Sequence, residues 1–388
     1  MLIERVFWKN KIEEAWLEKN VIWLMGVRRA GKTSLCQSLE NVQYFDCERP
    51  RVRQLFIDPE SFLEAHEGKR IILDEIHRLD NPSEVLKLAA DHYPSIKILA
   101  TGSSTLGASS KFKDTLAGRK REIWLTPLFL EELKNFGNPD NTHRFLFGGL
   151  PSFFTKKQLP ITDYQEWIDA YWAKDIQECF SVGKRSAFLK FTELLLATSG
   201  GMFEATRFAA ACEVSRQTIT NYLDVLEETF VIHTVKPYSM HKQTEIVKAP
   251  KVYGFDTGFV CYAKGWEELR ASDVGFMWEH CVLNELQGHL QTRNIHYWRD
   301  KQDHEIDFVI KNRADSTLTA IECKFTSSFE NDLPTKTLKN FEAFRSHYPE
   351  GENFIVASTI DTPFSRRYKD LIISFVSTNE LIKRLKPH

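Results

Sequence analysis

The stretch VIWLMGVRRAGKT (21–33) constrains this chain more than any other. An apolar run of strand length stops at Gly26, and Gly31 stands just before Lys32, Thr33 and a helix-forming segment. Gly26–Thr33 fits G-x-x-x-x-G-K-[ST], a pattern that carries meaning only between a strand and a helix, the context found here. Glycines allow backbone N–H groups to turn inward around phosphate oxygens. Lys32 is then expected to reach β- and γ-phosphates, with the Thr33 hydroxyl on Mg²⁺. The candidate ATP-binding residues of the loop are Gly26, Val27, Arg28, Arg29, Ala30, Gly31, Lys32, Thr33 and Ser34.

The loop sits in a chain segment that alternates strands and helices. Val21–Gly26, Val42–Asp46, Arg70–Glu75, Ile96–Gly102 and Arg121–Leu128 read as buried strands separated by helical or loop segments. Such alternation predicts a mostly parallel sheet covered on both faces, an α/β fold. From Phe129 to Tyr238 the pattern turns helical. After Gly275 a helix is followed by IHYWR, EIDFVI, LTAIECKF, a further helix, NFIVAS and LIISFVS, a second α/β unit. Divisions at 1–150, 151–274 and 275–388 follow, within the two to three domains that 388 residues imply.

Two later strand ends belong to the same expected pocket. In IILDE, Asp74 closes an apolar strand and can hold the metal, and Glu75 can orient or deprotonate an attacking water. In ILATGSS, Thr101 and Ser103 can hydrogen-bond the γ-phosphate or that water. Arg119, in the basic stretch LAGRKREIW, could be offered to a neighbouring subunit as an arginine finger; a solvated turn is the plainer reading.

Two further clusters carry chemistry. FEATRFAAACEVSRQTITNYLDVLEETFVI reads as two helices split at Val214–Ser215, with Ser215 as the N-cap. Ile219, Tyr222, Leu223 and Leu226 share one face of the second helix. Arg216, Gln217, Thr220 and Asn221 lie opposite, residue types that read bases or bind phosphates. The lysines that follow, Lys236, Lys242, Lys248 and Lys251, suggest a basic wing. The candidate DNA contacts are Arg216, Gln217, Asn221, Lys236 and Lys242. In the last unit, Asp307 in EIDF and Glu322 and Lys324 in IECK sit on apolar strands. Period-two alternation puts Glu322 and Lys324 on one side. Glu279 lies on the apolar stripe of a helix with Leu283, Leu286 and Leu290. Carboxylates so placed can hold a Mg²⁺ or Mn²⁺ while the lysine stabilises developing charge.

Lys and Arg number 51 against 53 Asp and Glu, so a formal net charge of −2 leaves no global attraction to nucleic acid. Any DNA contact must be a local patch. Seven scattered cysteines without a CxxC pair suit reduced thiols, no apolar run reaches membrane-span length, and the start lacks the apolar core of a signal peptide. A cytoplasmic protein is expected.

The succession of GVRRAGKTSL, IILDEIHRL, ILATGSS, LAGRKREIWLTPL, FGGLPSFF, AKDI, APKVYGFDTG, MWEHCVLNEL, YWRDKQDHEIDFVI and AIECK resembles bacterial and archaeal ATPases that join an AAA-type core to a C-terminal domain of unknown function. The resemblance spans nearly the whole chain. It implies an AAA-type P-loop ATPase, a helical lid, a winged helix and a domain similar to PD-(D/E)xK nucleases. Glu75, Lys32, Arg119, Asp307, Glu322 and Lys324 would then be catalytic. Thr33, Asp74, Glu279, Asp307 and Glu322 would be metal ligands. No clear sensor-2 arginine stands in GGLPSFF, and Arg144 is the nearby candidate. The expected function is a Mg²⁺-dependent ATPase acting on DNA structures rather than sequences. Its expected state is a homo-oligomer, with a hexameric ring among the forms open to it. A regulatory switch, or a nuclease gated by ATP, are the alternatives.

Overall fold

The computed structural model describes residues 3–102, 115–177, 180, 182–240, 249–312, 315–325 and 333–386. The chain divides into two compact units: residues 1–139, 150–189 and 220–231 form one, and residues 140–149, 190–219 and 232–388 the other.

The first unit is built on a parallel sheet of β1 (Val21–Met25), β2 (Gln43–Asp46), β3 (Arg70–Asp74), β4 (Lys97–Thr101) and β5 (Lys120–Trp124), in the order β2-β3-β4-β1-β5. These are the five expected strands. The last is shorter than expected because Pro127, which has no N–H to donate, follows closely. Trp23, Ile71, Leu73, Ile98 and Ala100 on one face pack with Val85, Leu86 and Ala89 of the helix Pro82–His92. The helix Val6–Glu18 packs against β1 and β5, burying Trp8, Ile12, Ala15 and Trp16 at helical spacing. Each fully buried large apolar side chain stabilises the unit by about 1.5–3 kcal/mol. With every strand parallel, the ends of β1, β3 and β4 emerge on one edge of the sheet, where ligands of open α/β sheets bind.

The second unit contains a nine-stranded mixed sheet in the order β13-β14-β12-β11-β10-β9-β7-β8-β6. Its strands are β6 (Gly201–Met202), β7 (Ile232–Pro237), β8 (Lys251–Gly254), β9 (His296–Arg299), β10 (Glu305–Lys311), β11 (Leu318–Lys324), β12 (Asn353–Ala357), β13 (Phe364–Tyr368) and β14 (Leu371–Val376). The strands expected after residue 275 are all present. Short β6 and β7 interrupt the stretch expected to be helical. β7 pairs with β9 through Lys236–His296 and Pro237–Tyr297. The sheet therefore runs on across the division expected at 275, which separates stretches of sequence but not units of packing. Trp298, Ile306, Val309, Ala320 and Ile355 pack with Phe341 and Phe344 of the helix Thr335–His347. The helix Ala271–Leu290 packs against β11.

Candidate functional site

The phosphate loop is shaped by two glycines and braced by an arginine. Gly26 has φ 146°, and a Cβ there would lie 2.5 Å from the Leu125 carbonyl oxygen. Only glycine fits that approach. Gly31 takes φ 96° directly before the helix Lys32–Gln37. The buried Arg5 guanidinium donates to the Ala30 carbonyl (3.2 Å) and grips Glu132 through two bonds of 2.7 Å. Lys32 donates to the carbonyl oxygens of Gly26 (2.9 Å) and Val27 (3.2 Å), so its ammonium already sits within the cradle. Burial lowers its pKa, opposed by the charges of Glu75, Asp175 and Asp74.

Asp74 is the centre of the site. It is buried and accepts from three hydroxyls: Thr33 at 2.9 Å, Tyr44, and Thr101 on its other oxygen. Register explains part of the grouping: Leu73 pairs with Ala100, so Asp74 and Thr101 follow at one level on neighbouring strands, while Tyr44 pairs with Ile72, two residues before Asp74. Tyr44 is missed by sequence reasoning. Burial and the Asp74 carboxylate push its phenol well up, which keeps it a donor. Glu75 adopts a left-handed conformation (φ 53°), and its N–H donates to Thr101 Oγ1 at 3.1 Å. Its carboxylate is 3.1 Å from His77 Nδ1. Burial would raise its pKa, but the bond from His77 and the charge of Lys32 win and hold it low. A carboxylate held ionised beside the cradle can take a proton from water.

A cleft of about 640 Å³ opens over this edge. It is lined by the loop, Glu75, His77, Gly102 and a helical segment contributing Pro151, Ser152, Thr155, Lys174 and Asp175. Arg28 binds Asp175 at 3.0 Å, and Trp167 Nε1 donates to the Arg28 carbonyl at 3.0 Å. Arg29 lies over the Phe153 ring at 5.7 Å.

The remaining candidates are dispersed. Ser103 and Lys242, and with them Lys248, lie outside the described residues. Arg119 bonds Asp91 at 2.7 Å and adjoins Lys120, which pairs with Val21 at the far end of β1 from the loop. It therefore takes no part in the cleft of its own chain. Arg144 is not a cleft residue either. It is buried in the second unit, bonded to Thr257 (2.9 Å) and 3.8 Å from Asp256. The helices Ala205–Cys212 and Arg216–Glu228 are joined by a tight turn in which Glu213 is left-handed and Ser215 Oγ accepts from Thr218 N at 3.0 Å. Ile219, Tyr222, Leu223 and Leu226 are buried, while Arg216, Gln217 and Asn221 are exposed, as expected. Lys236 on β7 is exposed.

In the second unit, Lys324 Nζ donates to Glu322 at 2.9 Å, so the two share a side of β11. Asp307 accepts from Cys323 N at 2.8 Å. Glu279 is held by the Tyr253 hydroxyl and lies 3.6 Å from Lys251, which also bonds Glu305. Lys251 is thus a buried member of this cluster and not part of an exposed wing. Burial and Asp307 push Glu322 up to about 8 and Glu279 up to about 7. Lys324 is raised: its burial is outweighed by Glu322 and Asp307. Glu279, Asp307 and Glu322, the expected ligand set, stand near enough for the charge of Asp307 to act on both glutamates. Among the described residues no three acidic, histidine or cysteine side chains converge to hold a metal ion. Each carboxylate is bonded to a lysine, tyrosine, amide or backbone N–H.

Residues 18–134 match the family described as AAA domain. The chain carries an AAA-type ATPase domain. Residues 139–270 and 274–378 match two domains of unknown function, DUF8612 and DUF4143. An uncharacterized protein of Mycobacterium tuberculosis is 28% identical over 323 residues, covering 80% of this chain and 72% of its own length. Another, of Methanocaldococcus jannaschii, is 22% identical over 335 residues, covering 77% and 74%. Similar solved structures include a Walker-type ATPase of Pyrococcus abyssi, with 16% identity, TM-score 0.45, and coverage of 68% of this chain and 96% of that one. Cdc6p of Pyrobaculum aerophilum has 11% identity, TM-score 0.30, and coverage of 68% and 95%. Among the described residues no helix is long and apolar enough to cross a membrane.

Within the AAA domain, Tyr44 and His77 join the nucleotide site only through strand pairing and a short turn, signals no local motif carries. Arg5 and Asp175 reach the loop from outside the AAA domain. AKDI flags Asp175 only as part of a family pattern.

Proposed function

We propose that this chain is a Mg²⁺-dependent ATP hydrolase that remodels or processes DNA structures, in repair, recombination or defence, and works as a homo-oligomer. The observation that carries the hydrolase reading is the gathering of Thr33, Tyr44 and Thr101 around Asp74, with ionised Glu75 next in sequence. Thr33 Oγ1 and the Asp74 carboxylate are hard oxygen donors that suit Mg²⁺. The ion, when bound, supplies neutralisation of β- and γ-phosphate charge. Lys32 adds a second positive charge at the same phosphates. Thr101 orders the Glu75 backbone, and Glu75 orients water and accepts its proton. Arg119 would serve a neighbouring copy's phosphates.

The DNA reading rests on the exposed Arg216, Gln217 and Asn221 at the start of the second helix, and on the resemblance of this stretch of sequence to a winged helix. One helix with so few readers favours backbone contact over sequence choice. Affinity should fall steeply with salt, with a slope of about 0.9 per phosphate neutralised.

A second reading is a regulatory nucleotide switch whose C-terminal unit only holds partners. It is favoured by the lysine-paired carboxylates around Glu322 and Glu279. ATP turnover measured alone and with duplex, single-stranded and branched DNA divides the readings. Stimulation by DNA supports the first, and turnover indifferent to DNA supports the switch. Metal-dependent DNA cleavage without turnover would point to an ATP-gated nuclease.

A further inference from the structure

The cleft wall facing the phosphate loop carries a cation that no reading above uses. Among the Lys and Arg side chains lining the cleft, five are engaged within the first unit. Arg5 holds Glu132, Arg28 holds Asp175, Arg29 covers Phe153, Lys32 bonds loop carbonyls and Arg78 faces Glu48 at 4.0 Å. Lys174 is exposed to the cleft and, among the described residues, has no ion pair, hydrogen bond or ring contact.

Its backbone is not that of a loose surface lysine. Lys174 sits in a single π-turn, Trp172–Ile176, closed by Gln177 N donating to Trp172 O at 2.9 Å. Such turns insert one residue into a helix and are frequent at functional sites. Trp172, Asp175 and Ile176 are buried around it, which fixes the root of the side chain in the wall. The next residue, Asp175, is tied to Arg28 of the loop, and its charge is felt by the Lys32 ammonium. The segment therefore meets the cradle near Lys32, at the end where the outer phosphates would lie.

We propose that Lys174 is a phosphate-binding residue of the nucleotide site, contacting the terminal phosphate of ATP from the helical segment. The Arg28–Asp175 pair is its positioning device: it pins the π-turn to the loop so that the ammonium meets the phosphate. This rests on the ATP-site reading. An engaged cation of this kind discriminates ATP from ADP, because the contact exists only with the outermost phosphate.

The test is calorimetric titration of the full chain with Mg²⁺-ATP and Mg²⁺-ADP, using Glu75→Gln as parent so that ATP is not consumed. Lys174→Met and Lys174→Arg are compared in that background. Lys174 is exposed, so neither change disturbs the core. Expected for Lys174→Met is a loss of about tenfold or more in ATP affinity with ADP affinity within about twofold, the size of one charge-assisted contact. Lys174→Arg should keep most of the ATP affinity. Unchanged ATP affinity, or equal losses for both nucleotides, overturns the proposal. A parent that binds neither nucleotide overturns the ATP-site reading itself, and this inference with it.

Discussion

Replacing Arg5 with methionine should destabilise the first unit by about 3–5 kcal/mol, the range for breaking a buried ion pair by removing one partner. Arg5 and Glu132 are 4% and 5% exposed, and two 2.7 Å bonds join guanidinium and carboxylate face to face. Methionine roughly fills the aliphatic volume but leaves the Glu132 carboxyl buried with, among the described residues, the Phe129 N–H at 2.9 Å as its remaining donor. It also releases the carbonyls of Ala30 and Thr126, which Arg5 holds at 3.2 and 3.3 Å. The double variant Arg5→Met/Glu132→Leu removes both charges. It should recover most of the loss and lie within about 1–2 kcal/mol of the parent, the remainder coming from the unpaired backbone groups. Urea unfolding followed by tryptophan fluorescence reads both, with Trp8 beside Arg5 at 5.6 Å. A single variant within about 1 kcal/mol of the parent, or a double variant as unstable as the single, would refute a desolvated pair as the brace of the loop.

If Arg119 acts in trans, Arg119→Ala should slow ATP turnover with little change in affinity, and mixing it with Lys32→Ala should restore part of the activity. No rescue between variants that still assemble would remove that role. The carboxylate cluster of the second unit makes a pH prediction. Burial and the charge of Asp307 raise the pKa of Glu322 above its unfolded value near 4.5, so the folded state binds more protons above that value and stability falls as pH rises from there. Thermal melts should show the second unit less stable at about pH 8 than at about pH 5.5, with the difference reduced in Glu322→Gln. A second unit that gains stability over that interval would contradict the assignment.

The nucleotide site was legible because its parts are contiguous or strand-terminal. Gly26–Thr33 is one loop, and Asp74 and Thr101 each end an apolar run whose length marks where the strand stops. What joined them, the register of β2, β3, β4 and β1, is not written locally, so Tyr44 stayed hidden on a strand that reads as ordinary core. Arg28–Asp175 and Arg5–Glu132 connect residues far apart in sequence and leave no periodic trace. In the second unit, alternation correctly put Glu322 and Lys324 on one side of β11. It could not foresee that β8 would bring Lys251 and Tyr253 to Glu279, because β7 and β8 read as a separate module and pair into the larger sheet only in the fold. That pairing adds a lysine and a tyrosine to the expected carboxylate cluster.

Steady-state phosphate release from Mg²⁺-ATP, compared among the parent chain, Glu75→Gln and Lys32→Ala, tests the central claim most directly. Turnover should be present in the parent and fall by about 10²–10⁴-fold in Glu75→Gln, the range for loss of a general base, while that variant still binds ATP. Lys32→Ala should lose binding as well. Wild-type turnover in Glu75→Gln, or a parent chain that binds Mg²⁺-ATP without hydrolysing it, would contradict the account.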